Sequence, residues 1–160
     1  MRIVNIGVSY ETSKKLDPKV YPDYNPKRFS GAIVKYKKGK VLVFASKKFT
    51  VTGTTSLKEA DKIAKEIVGE QKITKKRIVN ITASSRINLD FDFAKLFGNK
   101  RFSWEPELFP GVYWRKKGSG PVIIFFRSKK VILTGFKKIV EVNRLYKEFL
   151  KDLKDQHESS

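Results

Sequence analysis

The chain opens on an alternation. Val4, Ile6 and Val8 point one way along an extended segment and Ile3, Asn5, Gly7 and Ser9 the other, the period of a β-strand with one face in a core. Asp17-Pro18 then sets a capping side chain before a proline at the first helical position, predicting a brief helix, and Asp90 is read as opening its counterpart later on. Residues 31–36, 41–46 and 49–52 read as successive strands joined by Lys37-Lys38-Gly39-Lys40 and Lys47-Lys48, connections of hairpin length, so this part of the sheet is antiparallel. Ser56-Leu57-Lys58-Glu59 has the form of a capping box. Behind it Leu57, Ala60, Ile63, Ala64 and Ile67 recur at helical spacing, opposite a face of solvated lysines. From about Lys138, the residues Val142, Leu145, Tyr146, Phe149 and Leu153 form a second such stripe, and the polar residues 155–160 beyond it are expected to be a disordered tail.

The residues repeat as well as the pattern. Ile-Val-Asn-Ile at 3–6 recurs 75 residues later at 78–81, with a serine three positions after each copy, Ser9 and Ser84. Tyr24-Asn25-Pro26-Lys27-Arg28-Phe29-Ser30-Gly31 matches Trp104-Glu105-Pro106-Glu107-Leu108-Phe109-Pro110-Gly111 at an offset of 80. Phe44-Ala45-Ser46-Lys47-Lys48 and Thr52-Gly53 match Phe126-Arg127-Ser128-Lys129-Lys130 and Thr134-Gly135 at an offset of 82. Three blocks in one order with slowly growing offsets mark a duplication whose insertions fall in loops. Residues 1–73 and 74–154 are therefore read as two repeats of an α+β fold, each running strand, short helix, four-strand meander, long helix. Side by side, they would form a continuous antiparallel sheet with helices over one face, leaving the other face to meet something else.

Composition narrows what that something is. Lys and Arg number 35 against 16 Asp and Glu, giving a formal charge of +19 and a pI near 10.1, so a polyanionic partner is expected. The lysines are spread along the chain rather than gathered on one amphipathic helix or terminal run, which favours nucleic acid over a membrane surface. The absence of cysteine excludes disulfides, thiolate catalysis and cysteine-bound zinc. An enzyme acting on nucleic acid would need clustered carboxylates, an activated lysine or metal ligands. The single histidine, His157, falls in the expected tail, and the predicted strands of the uncovered face carry no Asp or Glu, so neither an enzyme nor a cofactor is expected. A sequence-neutral architectural DNA binder, or a single-strand binder whose aromatics stack on bases, is the competing reading. The segment MRIVNIGVSY lacks the features of a secretory signal and no apolar run approaches the roughly 20 residues of a membrane span, so a soluble, intracellular protein is expected.

Tyr24-Asn25-Pro26-Lys27-Arg28-Phe29 and Glu105-Pro106-Glu107-Leu108-Phe109-Pro110-Gly111, each followed by Phe-x-Ser-x-Lys and Thr-Gly, resemble the conserved core of the TATA-binding protein family over about residues 3–153. The resemblance implies a saddle whose concave sheet face grips the DNA minor groove and kinks the duplex with inserted phenylalanines. That mechanism is the established property of the family, not a deduction from these residues. The matching phenylalanines are Phe29, Phe44, Phe109 and Phe126. Core packing is the competing reading for any one of them, but Val41 and Val43 share one strand face while Leu42 and Phe44 share the other, and Phe125 takes the core side where Phe126 takes the groove side.

The resemblance further implies groove-floor contacts at Asn5, Leu42, Thr50, Thr52, Asn80, Thr82, Val122, Ile124, Ile132 and Thr134, and phosphate contacts at Arg28, Lys35, Lys48, Arg115 and Lys130. Small, apolar or singly polar side chains suit a groove in which A·T pairs offer only acceptors. For either asparagine, satisfying nearby backbone is the alternative role. The valines that the family places two residues after each asparagine are Gly7 and Thr82 here, and a first-repeat valine is Thr50, which bears on the stringency of element choice. By the same resemblance the loop of Glu105, Glu107 and Leu108 docks a transcription factor IIB-type initiation factor. The first-repeat loop and basic helices would meet others, such as a factor of the IIA type, and the RNA polymerase machinery would follow. The free protein would self-associate through its apolar face. The basic charge points to a eukaryotic nucleus, or to a virus-encoded factor acting in a host nucleus or viral factory, and a related factor with altered promoter preference is the nearest alternative.

Overall fold

The computed structural model describes residues 1–158, apart from the side chain of Phe97. Strand β1 (Arg2–Thr12) leads through a 3₁₀ turn at Pro18–Val20 to β2 (Ala32–Tyr36), β3 (Gly39–Val43), β4 (Lys48–Thr54) and helix α1 (Leu57–Val68). The second repeat runs β5 (Ile73–Arg86), a 3₁₀ segment at Phe93–Gly98, β6 (Phe102–Ser103), β7 (Val112–Trp114), β8 (Val122–Phe125), β9 (Lys130–Phe136) and α2 (Ile139–Glu158). The chain divides into two compact units, Val4–Asn80 and Met1–Ile3 with Ile81–Ser160. The first has strand order β2-β3-β4-β1 and the second β5-β9-β8-β7-β6, each with a single long helix, so the α+β class read from the sequence holds in both.

The four-strand meander is found only in the second repeat. The positions equivalent to β6 are Pro22-Asp23, and a proline has no N–H to give to a ladder. In each unit the pairing slips once: Ile6 faces Thr54 but Val8 faces Val51, and Ile81 faces Phe136 but Ala83 faces Leu133. The extra residue in β4 and in β9 lies at the repeated Thr-Gly, and Gly53 and Gly135 take φ of +86° and +85°, a conformation costly for any residue with a Cβ. The dipeptide is thus a β-bulge, which bends its strand and adds twist.

Three local expectations are corrected. The 3₁₀ segment of the second repeat is capped by Asp92, which accepts from Ala94 N at 3.0 Å, and not by Asp90, which ion-pairs with Lys129 at 3.1 Å. Burial of Phe93 and Leu96 places the turn, and its cap is the residue before them. The capping box of α1 is only half formed: Ser56 Oγ accepts from Glu59 N at 3.2 Å, while the Glu59 carboxylate accepts from Thr55 N and Oγ1 rather than from Ser56. Those Thr55 bonds, the backbone one first, hold the Glu59 pKa below its ordinary value. The expected tail is helical through Glu158, because the last turn has partners. The His157 ring lies 5.6 Å from that of Phe91, and the Gln156 amide sits against Gly98; Ser159 and Ser160 fall outside the described residues.

Each core lies between one sheet face and one helix. In the first unit Val8, Tyr10, Val41, Val43, Phe49 and Val51 are buried against Ala60, Ile63, Ala64 and Val68. In the second, Ala83, Trp114, Ile123, Phe125, Val131 and Leu133 meet Val142, Leu145, Phe149 and Leu153. Strand and helix are tied by polar bonds under these layers. Tyr10 OH donates to Asp61 at 2.7 Å, with Lys76 Nζ on the same carboxylate at 2.9 Å, and Ser85 Oγ meets Tyr146 OH at 2.7 Å in the second unit. Burial first, then the Asp61 carboxylate, pushes the Tyr10 pKa up. Burial alone would raise the Asp61 pKa, but the bonds from Lys76 and Tyr10 outweigh it and the net shift is downward.

Tyr10→Phe removes the tyrosine's bond to Asp61 and should lower stability in urea unfolding by about 1 kcal/mol, the carboxylate being partly screened by water. A carboxylate whose folded pKa is depressed adds stability above its unfolded pKa and loses it as pH falls through the folded value. The gap between the Tyr10→Phe variant and the parent should therefore close on acidification below about pH 4.

Candidate nucleic-acid interface

Strand parity that buries one face leaves the alternate residues on the other, where no helix packs among the described residues. On that open face the two repeats present the same construction. Phe29 and Phe44 lie edge to face with ring centroids 5.5 Å apart at 61°, and Phe109 and Phe126 repeat the arrangement at 5.8 Å and 64°. All four are half-buried, whereas Phe49, Phe125, Phe136 and Phe149 are fully enclosed. Each pair rests on a glycine. A Cβ on Gly31 would collide with Val43 O and lie 3.0 Å from Phe44 Cδ1 and 3.2 Å from Phe29 Cε1. On Gly111 it would stand 2.7 Å from Phe109 Cε1, 2.8 Å from Ile124 Cγ2 and 3.1 Å from Phe126 Cε1. A side chain at either position would displace the rings, so the glycine shared by the repeated blocks is a seat for the aromatic pair.

Of the ten side chains implied as groove floor, nine are half-buried. The exception is Val122, which shares the strand parity of Ile124 and Phe126 but is 8 % exposed. Ladder pairing sets several of them side by side, Leu42 with Thr50, Ile124 with Ile132 and Val122 with Thr134. Asn5 takes the backbone-satisfying role considered for it. Its Oδ1 accepts from Gly53 N at 2.6 Å, the amide freed by the bulge, and from Thr52 Oγ1 at 3.4 Å. That bond fixes the amide orientation, because an N–H needs an acceptor, and turns the NH₂ into the group with protons to donate elsewhere. In the second repeat Thr82 and Thr134 share a hydroxyl hydrogen bond of 2.8 Å, and Asn80 stands two residues before Thr82 on β5. Gly7 is not demanded by space: a Cβ there would meet Val79 at 3.4 Å and Thr52 Oγ1 at 3.9 Å, ordinary contacts.

The cations around the face are placed less uniformly. Arg28, Lys35 and Lys130 are exposed, and Arg115 is half-buried with one guanidinium N–H donated to Gly120 O at 3.0 Å. Lys48 ion-pairs with Glu11 at 3.4 Å. Glu11 corrects the expectation that the strands of this face carry no acid, since β1 runs three residues beyond the segment read as alternating. Its repeat-equivalent is Arg86, opposite Lys130 in the ladder, so the same rim position carries a neutralised lysine in one repeat and two cations in the other. The loops before the paired phenylalanines share a backbone form, with Arg28 N and Phe29 N turned onto Asn25 O and Leu108 N and Phe109 N onto Glu105 O. Their side chains differ in sign: Lys27 and Arg28 in one, Glu107 and an 80 % exposed Leu108 beside Glu105 in the other. Sequence reasoning missed Tyr113, whose ring lies 5.1 Å from that of Phe109 on the same face; its signal was its alternation with Val112 and Trp114, both buried.

Among the described residues no three His, Cys, Asp or Glu gather to hold a metal ion, and no helix is long and apolar enough to cross a membrane. The family model of transcription factor TFIID, or TATA-binding protein, matches residues 1–70 and 75–156. The TATA-box-binding protein of Acetabularia peniculus is 31 % identical over 156 residues, covering 91 % of this chain and 82 % of its own. That of Saccharomyces cerevisiae is 34 % identical over 135 residues, 78 % of this chain and 56 % of its own. The solved structure of Methanococcus jannaschii TBP superposes with a TM-score of 0.83 at 26 % identity, over 96 % of this chain and 98 % of that one. The chain therefore belongs to the TATA-binding protein family, a family of DNA-binding transcription factors rather than enzymes.

Proposed function

We propose that this protein is a general transcription initiation factor that binds the minor groove of TATA-like, A·T-rich promoter elements, kinks the duplex by inserting its paired phenylalanines, and carries initiation factors to the site. The observation that supports this most is the duplicated aromatic pair, two edge-to-face phenylalanines on a glycine seat, half-buried on a face no helix covers. Half-exposed aromatic rings in water are unfavourable unless a partner covers them, and unstacked base steps offer a flat apolar one. The floor residues suit A·T pairs: the Asn5 NH₂ and the Thr50 hydroxyl can donate to adenine N3 and thymine O2, and Leu42, Ile124 and Ile132 leave no acceptor for a guanine amino group. Arg28, Lys35, Lys48, Arg115 and Lys130 would hold the flanking phosphates, giving affinity without sequence preference.

A related factor with shifted element preference is the second reading, and Gly7 supports it. A Cβ would fit there in ordinary contact, so the floor is open at a position where the family places a valine, and Thr82 and Thr134 share one hydroxyl hydrogen bond. Such changes alter base discrimination by about 1–3 kcal/mol per position. The exposed Leu108 flanked by Glu105 and Glu107 is the surface for a basic, transcription factor IIB-type partner, and the lysine-rich face of α1 for an acidic one. Such a factor would act where its template is transcribed, the nucleus in a eukaryotic cell.

The test is a bend-sensitive fluorescence titration on TATA-containing and G·C-substituted duplexes at two salt concentrations. A·T-selective binding with strong bending is the expected result; binding with neither would leave a basic architectural protein. Phe126→Ala should abolish most of the bend signal with little change in urea midpoint, whereas Phe125→Ala, one residue away on the core face, should cost about 3–5 kcal/mol of stability. Gly111→Ala should also reduce bending, by displacing the Phe109 and Phe126 rings, while circular dichroism of the sheet is retained. Glu107→Arg should leave the DNA titration unchanged and weaken capture of the IIB-type factor in a gel-shift assay.

A further inference from the structure

The two ends of the proposed DNA site are not equally charged. Beside Phe109 and Tyr113 a groove of about 540 Å³ opens along β6 and β7, lined by Lys100, Arg101, Ser103, Arg115, Lys116 and Lys117. Five of these six side chains are cationic. The corresponding groove beside Phe29 and Ile33 carries only Arg28 and Lys35, with Asp23 opposing them. At the block's offset of 80, Lys100, Arg101, Ser103 and Lys116 align with Val20, Tyr21, Asp23 and Tyr36, while Arg115 and Lys117 align with Lys35 and Lys37, so the second repeat carries three more positive charges and one fewer negative charge at this edge.

The side chains there are not equally free. Arg101 is held by Asp152 at 3.2 Å and Lys116 by Glu148 at 3.0 Å, both from α2. Among the described residues, Lys100, Arg115 and Lys117 have no carboxylate within ion-pairing distance. Arg115 is already expected to hold a phosphate of the element itself. Lys100 and Lys117 stand beyond it, exposed, in a groove continuous with the aromatic pair through Tyr113.

We infer that Lys100 and Lys117 bind backbone phosphates of the DNA flanking the element on the second-repeat side, past the Phe109–Phe126 wedge, so that the protein's footprint is longer at that end than at the other. The inference rests on the minor-groove reading above: if the wedge enters the last base step of the element, the duplex leaves along this edge. A duplex carries one negative charge per about 1.7 Å of its axis, so it presents phosphates anywhere along the groove. An ammonium on a flexible stem meets a phosphate as a point charge without demanding a base, which suits a contact that must work on any flanking sequence.

The test compares the full-length parent, a Lys100→Ser/Lys117→Ser double variant and a control that removes equal charge from the exposed face of α1, Lys58→Ser/Lys62→Ser. Each is titrated against duplexes with long flanks, and with either flank cut at the edge of the element, between 50 and 200 mM salt, with bending read in parallel. Each lost phosphate contact lowers the salt slope by about 0.9, so the double variant should show a slope about 1.8 shallower on the long duplex. Over that fourfold change in salt the parent should then lose about 12-fold more affinity than the variant. The parent should lose the same slope when one flank is cut but not the other, and the double variant should be indifferent to both cuts. Parent-like slopes in the double variant would overturn the inference, and so would equal losses in the α1 control. Retained slope with loss of binding to a polyglutamate probe would reassign the groove to an acidic protein segment. The bend signal of the parent reports separately on the minor-groove reading, so failure of that reading and failure of this one are distinct results.

Discussion

One layer of helix per sheet is the constraint from which the rest follows. A strand presents alternate residues to its two faces, and a sheet covered on one side buries only half of them. In each unit the covered half is spent on Val, Phe, Ile and a single helix, and it makes a complete core. The other half must tolerate water in the free protein and still be worth covering. The residues found there meet both demands: threonines, asparagines and short aliphatics, and in each unit an aromatic pair whose rings shield one another edge to face.

Glycine and bulge chemistry then turn a generic open face into a shaped one. The Thr-Gly bulge twists β4 and β9 and, in the first repeat, releases the Gly53 amide that fixes Asn5. The glycine under each phenylalanine pair lets two rings sit where one side chain and a Cβ would otherwise compete. Neither device adds much stability. Both convert sheet geometry into the placement of a few groups, which the proposed groove reading would require and a spread of lysines cannot supply.

Period-two alternation made the core legible from sequence: Val41 and Val43 against Leu42 and Phe44, or Phe125 against Phe126, carry their faces in their order. The repeat made the candidate site legible, because a phenylalanine whose face is ambiguous alone is less so when its copy occupies the same place 80 or 82 residues later. What resisted was set by contacts remote in sequence. Asp92 rather than Asp90 caps the second short helix because Phe93 and Leu96 find a core made elsewhere. The last turn of α2 is ordered by Phe91 and Gly98, some sixty residues upstream, where polarity alone predicts a tail. Glu11 belongs to β1 only because β4 is long enough to pair with it.

On the proposed function, a duplicated reader of the minor groove meets a problem of direction. The minor groove shows A·T and T·A pairs as nearly the same pair of acceptors, and on the proposed reading equivalent floors built from Asn5 and Asn80, Thr52 and Thr134, Leu42 and Ile124 would grip an element about equally well either way round. Whatever orients such a protein must therefore come from where its repeats differ, and here the differences are concentrated in charge. The loop before one phenylalanine pair carries Lys27 and Arg28 and the other Glu105 and Glu107; one rim pairs Lys48 with Glu11 and the other sets Arg86 beside Lys130. On that reading the symmetric residues would supply the grip and the asymmetric ones the polarity. A duplication is well suited to this, since drift in the loops can create a direction without disturbing the face that both copies need.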